Sequence, residues 1–342
     1  MKSVSRRIAR AVAAAAGIVA LVCTSACGAP SSAQTSPTTT DASSSAQSEP
    51  IEVVASINQW GSLAEQIGGD RVSVTSILAS SNVEAHDFEP QTSDVARISK
   101  AKVVVANGAG YDAWATKAVT KDIALVTAAE NVGASDGDDP HLWFSKDARN
   151  AMAQELADTY AKIQPENRDY FQERLKDWQS EEQKLEQTMS EFSGTHKGAT
   201  YAATESVAKY LLADLGLKDV TPKGYAQAAA NESEPAPADL SEMTTLIEAR
   251  QADMVINNPQ ETSDATNMVT GVAHKSDVPV VDVTEQMPDG QSSLTDWITA
   301  LVKTFDETLA GAAEASASAS ADAARSGSAT ASPTDTPPDP GK

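Results

Sequence analysis

The 342-residue chain reads as an α/β protein of two similar lobes, each with a parallel central sheet, joined by one long backbone helix. Three observations predict this. Short apolar strands alternate with helical segments from residue 51 to residue 309. A polar, helix-forming stretch without glycine or proline interrupts the alternation midway, at residues 166–192. Segments of Ser, Ala, Thr and Pro, with almost no apolar bulk, flank the whole on either side.

In the first lobe, residues 51–56 form a strand and 60–67 the helix after it. Residues 71–78 give a second strand, with mixed alternation, and 94–101 a short helix. Val103, Val104 and Val105 are a continuous apolar strand, of the kind a sheet covered on both faces requires. Residues 111–119 are helical again and 123–126 a strand. Helical periodicity returns over 147–162 and stops before Pro165. The stretch 166–192 then makes a helix about 40 Å long, with Tyr170, Leu175, Trp178, Leu185 and Met189 as one broken apolar stripe.

After Gly194 the alternation resumes: a strand at 199–203, a helix at 206–215, and a possible strand at Tyr225 and Ala226. A helix at 237–251, a strand at 253–257, a helix at 264–274, a strand at 278–283 and a closing helix at 294–309 follow. Two such lobes on one rigid connector make a cleft, where a small ligand is best held.

With 26 Lys and Arg against 48 Asp and Glu, the net charge is -22. That excludes a duplex nucleic-acid binder, which needs a positive face. Lys2, Arg6, Arg7 and Arg10 precede an apolar run over residues 11–22. As a helix that run is about 18 Å long, too short for a bilayer core of roughly 30 Å, and it fits an export signal. Ser25 and Ala26 before Cys27 resemble a bacterial lipobox, although Thr24 stands where an aliphatic residue is usual. Cleavage there exposes Cys27 for lipidation; the other reading is a secreted protein with an incidental cysteine. Beyond Cys27 the chain has no cysteine, which leaves no internal disulfide and no thiol catalyst or ligand. The expected organisation is a signal at 1–26, a disordered tether at 27–49, the first lobe at 50–164 and the linking helix at 165–193. The second lobe follows at 194–310 and a disordered tail at 311–342.

The chain has four histidines, and two lie in acidic loops of the first lobe: His86 in Glu-Ala-His-Asp-Phe-Glu-Pro and His141 in Asp-Asp-Pro-His-Leu-Trp-Phe. Loops between α/β elements are where sites form. Imidazole is a neutral nitrogen ligand for Zn, Mn, Fe or Co, and adjacent carboxylates orient its ring. Either histidine alone reads equally as a solvated loop residue. Glu205 and Glu285 follow strands of the second lobe and face the crevice if the lobes oppose each other; a carboxylate so placed is more often a cap or solvated. Taken together the four supply an N2O2 set, two ligands from each lobe. His196, in a polar turn, and His274, ending a helix, read as bystanders. Tyr111, Trp143 and Tyr201 pack either near the site or simply in the core.

A series of motifs runs in order through residues 51–309: Val53-Val54-Ala55-Ser56 with residues 60–68, residues 84–94 around His86, and residues 139–143 around His141. In the second lobe it continues with Ala203-Thr204-Glu205-Ser206 and Tyr210, residues 231–235, Asn258-Pro259-Gln260, and residues 280–285. In these the sequence resembles the metal-binding lipoproteins that deliver zinc, manganese or iron to bacterial ABC importers. The resemblance implies a periplasmic or cell-surface solute-binding protein, not an enzyme; a monomer is expected. Its partners would be an importer permease and, through a lipid anchor, the outer face of the cell membrane. It also implies that the lobes open only slightly. His86 and His141 correspond to the first two metal ligands. Glu205 falls at the third, which is histidine in typical zinc members and often glutamate in manganese members. Glu285 falls at the acidic fourth, and the Asn258 region carries no ligand in that pattern. The His-rich loop common in zinc-specific members is missing; residues 135–139 stand there without a histidine.

Two imidazoles and two carboxylates are harder than three imidazoles and lean toward Mn or Fe, while the Irving–Williams order favours Zn. Zn2+ or Mn2+ is the expected cargo, with Fe2+ third. The competing readings are a surface metallohydrolase, which needs an open coordination position, a binder of iron chelates or corrinoids, and an adhesin-like lipoprotein.

Overall fold

A computed structural model describes residues 48–81, 83 and 88–327. The expected signal, Cys27 and most of the tether lie outside the described residues, as does His86.

The first lobe runs β1 (Ile51–Ile57), α1 (Asn58–Gly68), β2 (Val72–Leu78), α2 (Thr92–Ile98), β3 (Val103–Ala106), α3 (Ala113–Thr116), β4 (Ala124–Thr127) and α4 (Ala128–Val132). Two long helices follow, α5 (Lys146–Ile163) and α6 (Arg168–Thr195). The second lobe runs β5 (Thr200–Ala203), α7 (Lys209–Asp214), β6 (Lys218–Asp219), α8 (Lys223–Ala230), α9 (Pro237–Glu248), β7 (Met254–Asn257), α10 (Asp264–Lys275), β8 (Val280–Asp282) and α11 (Leu294–Gly327). The sheets share one parallel topology, β2-β1-β3-β4 and β6-β5-β7-β8. Val53 pairs with Val103 in the first, and Ala202 with Val255 in the second. Every residue of β3 is buried, as expected of a central strand with helices on both faces.

The packing of α6 explains how the lobes are held. Its buried residues are Phe171, Leu175, Trp178, Glu182, Leu185, Met189 and Phe192, spaced alternately four and three apart. That is the 3.5-residue repeat which keeps one seam against a neighbour along a whole helix. Of the expected stripe, Leu175, Trp178, Leu185 and Met189 are buried, and only its first member moves, from Tyr170 to Phe171. Tyr170 instead sits at the rim, where its hydroxyl accepts from the Asp70 amide at 3.1 Å and its ring lies under the Arg71 guanidinium. The seam meets α1, α5 and α11 in one apolar core that reaches Tyr201 and Ile256 of the second lobe. Both lobes thus grow from the same core.

The break in the seam, Glu182, is answered by Arg149 of α5, itself fully buried. Its Nε donates to both Glu182 oxygens, at 3.1 and 3.3 Å, and its Nη1 donates to the carbonyls of Trp143 and Phe144. The guanidinium fork therefore ties the connecting helix to the loop that carries His141.

Several elements differ from the sequence expectation. Tyr225 and Ala226 lie in helix α8 rather than a strand, because an Ala-rich run after Pro222 favours helix and only Tyr225 needs burial. The helix expected over 111–119 shrinks to one turn, since Asp112 is drawn into the preceding loop. The closing helix does not stop at Leu309 but continues to Gly327, so the expected tail begins as helix. Alanine is the best helix former, and a helix already nucleated by its packed first turns gains one backbone hydrogen bond per further residue. Two short elements went unseen. One is the two-residue edge strand β6, with both side chains exposed. The other is α4, capped by Thr127 and stopped by Gly133 at φ 71.

Candidate metal centre

The site forms where the parallel strands of both sheets end, the position at which α/β folds place their ligands. Beyond β3, Asn107 accepts from the Trp60 indole at 3.0 Å and donates to the Pro140 carbonyl at 2.7 Å. Asp112 folds back on the same loop, accepting from Ser56 Oγ and from the Asn107 and Gly108 amides. Burial pushes this carboxyl above its ordinary value, against the pull of those donors. Held at Pro140 by Asn107 and at Trp143 and Phe144 by Arg149, the segment between has little freedom. His141 lies in it.

In the second lobe Glu205 follows β5, Asn258 follows β7, and Glu285 follows β8. His141, Glu205 and Glu285 are each at most 7% exposed, and one ligand atom from each lies within 4.8 Å of the others. Three of the four expected ligands are thus together; His86 lies outside the described residues. One of its flanks, at Val83, joins the site region. Gln260 donates to the Val83 carbonyl at 3.0 Å and accepts from the Glu285 amide at 2.7 Å, while Phe88 packs on Trp114.

Each side chain is oriented by a second one. The Asp139 carboxylate lies 2.9 Å from His141 Nδ1, which turns Nε2 toward Glu205 Oε1 at 3.4 Å. That Nε2 is fully buried, and its partner is Glu205 Oε1. A buried imidazole nitrogen aimed at two carboxylates, with a carboxylate behind it, is the donor arrangement a transition metal takes. Tyr111 donates to Glu285 Oε2 at 2.5 Å, and Asn258 Nδ2 donates to both glutamates. From the opposite lobe Tyr210 donates to the Asp139 carbonyl at 3.0 Å, and Gln59 to that of Glu285.

The electrostatics follow from that geometry. Burial opposes charge on His141, but the hydrogen bonds and charges of Asp139 and Glu205 outweigh it and push its pKa up to about 10. Burial raises Asp139, yet the hydrogen bond and charge of His141 leave it below its ordinary value. Burial, with Glu285 and Glu205 close by, holds Tyr111 well above the usual phenol range, so it stays a donor. The raised value favours a protonated His141 near neutral pH, so a cation taking Nε2 would displace a proton. The apo protein's stability should follow. A histidine raised from 6.5 to about 10 contributes fully below pH 6.5, and its contribution is lost as pH rises through 10. Chemical denaturation of metal-free protein from pH 7 to pH 10 should show that decline, and His141→Gln should flatten it.

Of the remaining expectations, Trp143 is buried edge-on to both Tyr111 and His141, so both aromatic rings border the site. Tyr201 belongs to the core and is raised by burial and by Asp219. His196 pairs with Asp306 at 2.7 Å, and His274 is exposed near the end of α10; neither joins the cluster. The sequence marks Asn258 as part of a motif without a ligand and gives no sign of its contact with both glutamates; the signal for that is position, since it follows β7, which lies between the strands that Glu205 and Glu285 follow.

Residues 53–308 match the family model described as zinc-uptake complex component A, periplasmic. The manganese-binding lipoprotein MntA of Halalkalibacterium halodurans is 35% identical over 119 residues, covering 33% of this chain and 39% of that protein. The zinc uptake protein ZnuA of Bacillus subtilis is 24% identical over 243 residues, covering 63% and 73%. Among solved structures, the periplasmic zinc-binding protein TroA of Treponema pallidum overlays 77% of this chain and 99% of its own, at a TM-score of 0.65 and 14% identity. That last likeness is one of fold.

Proposed function

Because the chain belongs to the family of periplasmic zinc-uptake component A proteins, we propose that it captures one divalent transition-metal ion outside the cytoplasm and passes it to an ABC importer. The observation that carries this is the buried meeting of His141, Glu205 and Glu285, with one atom from each lying within 4.8 Å of the others. His141 comes from the first lobe and the glutamates from the second, so the ion itself joins the lobes. His86 is the fourth ligand in this reading. Its support is the network from Glu285 through Gln260 to the Val83 carbonyl, three residues before it. Zn2+ and Mn2+ are the cargo candidates: imidazole suits zinc, and the carboxylates suit both.

The enclosure argues against the other readings. A metallohydrolase keeps an open position for water and substrate, and a chelate or corrinoid binder needs a wide cleft. Here His141, Glu205 and Glu285 are each at most 7% exposed, and one ligand atom from each lies within 4.8 Å of the others. An anchor at Cys27 and the polar stretch to residue 49 would keep this body at the membrane face, where an importer permease receives the ion.

The proton displaced from His141 offers a direct check. Calorimetric titration at pH 8 in buffers of different ionisation enthalpy should show about one proton released per ion bound. In the source bacterium, deletion should lower uptake of radioactive zinc or manganese, wild-type protein should restore it, and His141→Ala should not. Unchanged uptake in the deletion strain would sink the proposal.

A further inference from the structure

Asn258 is 1% exposed and lies between the two glutamates. Its orientation is fixed by its own backbone surroundings. The Gln260 amide donates to Asn258 Oδ1 at 3.0 Å, and the Asn258 amide donates to Thr204 Oγ1 at 3.1 Å. The NH2 end must therefore face the site, and it carries two hydrogens. One goes to Glu205 Oε2 at 2.6 Å and the other to Glu285 Oε1 at 3.2 Å. Glu205 thereby points one oxygen at Asn258 and the other at His141 Nε2, 3.4 Å away. On Glu285 the second oxygen accepts from Tyr111.

A carboxylate that chelates an ion through both oxygens must turn both toward it. A carboxylate oxygen has lone pairs for a hydrogen bond and an ion together, so the amide does not forbid this; it fixes how each carboxylate is turned and opposes its rotation. Four-coordinate zinc needs one atom from each of four ligands, whereas ions that bind oxygen at six or more positions draw on bidentate carboxylates and water.

We propose that Asn258 is a positioning residue that sets metal preference: by holding one oxygen of Glu205 and one of Glu285, it fixes how the two carboxylates are turned, disfavours their rotation into two-oxygen chelation and so favours a four-coordinate ion. The inference rests on the proposed function and refines it from metal capture to zinc over manganese. It is independent of which residue supplies the fourth ligand.

The test compares chelator-stripped wild-type protein with Asn258→Ala and Asn258→Ser, titrated in parallel with Zn2+ and Mn2+. In Asn258→Ala the zinc-to-manganese affinity ratio should fall by about tenfold or more, the size typical when a partner behind a ligand is lost. Asn258→Ser keeps one O–H and can hold one carboxylate, so its ratio should fall between the two. X-ray absorption should show more oxygen neighbours around manganese in Asn258→Ala than in the wild type. A ratio unchanged in both variants would overturn the inference, and so would equal weakening of both ions, the mark of a structural role alone. If Asn258→Ala does not fold, the serine variant decides by the same ratio and the same spectrum. Wild-type protein that binds neither ion would instead bring down the proposed function, a separate result from an unchanged ratio.

Discussion

His141→Ala lowers affinity for the cargo ion by about a hundredfold or more, a loss larger than the ten- to hundredfold typical of residues behind the ligands. In the proposed site His141 would supply the nitrogen donor, and it is the first lobe's member of the described cluster. Without it the ion faces Glu205 and Glu285 on one side only. The same change destabilises the metal-free protein, since the imidazolium favoured near neutral pH lies between Asp139 and Glu205. Removing one partner of a buried charge pair costs about 3–5 kcal/mol, so the variant should melt earlier even without metal. His141→Gln separates the effects. Its amide can still donate to a carboxylate but does not replace the imidazole, so stability recovers in part while affinity stays low. Calorimetry for binding and thermal unfolding of stripped protein measure both. Binding unchanged in either variant would remove His141 from the ligand set.

Arg149→Met should be the most damaging substitution away from the metal. It strands Glu182, 1% exposed, inside the seam of α6 and frees the carbonyls of Trp143 and Phe144. The stranded carboxylate alone costs about 3–5 kcal/mol, and each unpaired buried carbonyl adds about 1–3 kcal/mol. Arg149→Met with Glu182→Met restores the part due to the charge but not the part due to the carbonyls. Urea unfolding of the three proteins should therefore order them wild type, double variant, single variant. A double variant no better than the single one would mean the ion pair contributes net stability rather than cancelling its own desolvation. Because the two carbonyls follow His141, metal affinity should stay reduced in both variants.

The fold was legible wherever burial imposed a pattern. Val103, Val104 and Val105 announced a central strand because a strand covered on both faces tolerates nothing polar. Alternation failed at β6, whose two residues are exposed at a sheet edge and carry no apolar signal. It failed at Tyr225 because one buried residue in a short Ala-rich run satisfies strand and helix alike. On α6 the polar residue Glu182 hid the 3.5-residue repeat, and only its pairing with Arg149, 33 residues away, makes a seam with a carboxylate intelligible. The Ala-Ser stretch after Leu309 read as structureless because it has no face to bury, but each residue added to an existing helix gains a backbone hydrogen bond.

The meeting of His141, Glu205 and Glu285 was legible from an imidazole in an acidic loop and carboxylates just past strand ends, while His86 lies outside the described residues. What held them was less so. Asp139 behind His141 was visible as a neighbouring carboxylate, whereas Tyr111 and Trp143 looked equally like core residues, which they also are. Asn258 carried no charge and no metal-binding chemistry of its own. Its role arises from two hydrogen bonds that exist only once β5, β7 and β8 lie side by side.

The central claim is that one ion sits between His141 of the first lobe and the two glutamates of the second. A crystal of the stripped protein reloaded with one equivalent of Zn2+, with anomalous data collected at the zinc edge, tests it most directly. The account predicts a single peak about 2.0–2.1 Å from His141 Nε2 and about 2.0–2.2 Å from an oxygen of each of Glu205 and Glu285. A dominant peak elsewhere on the molecule, or zinc bound in solution with no peak between these three residues, would contradict it.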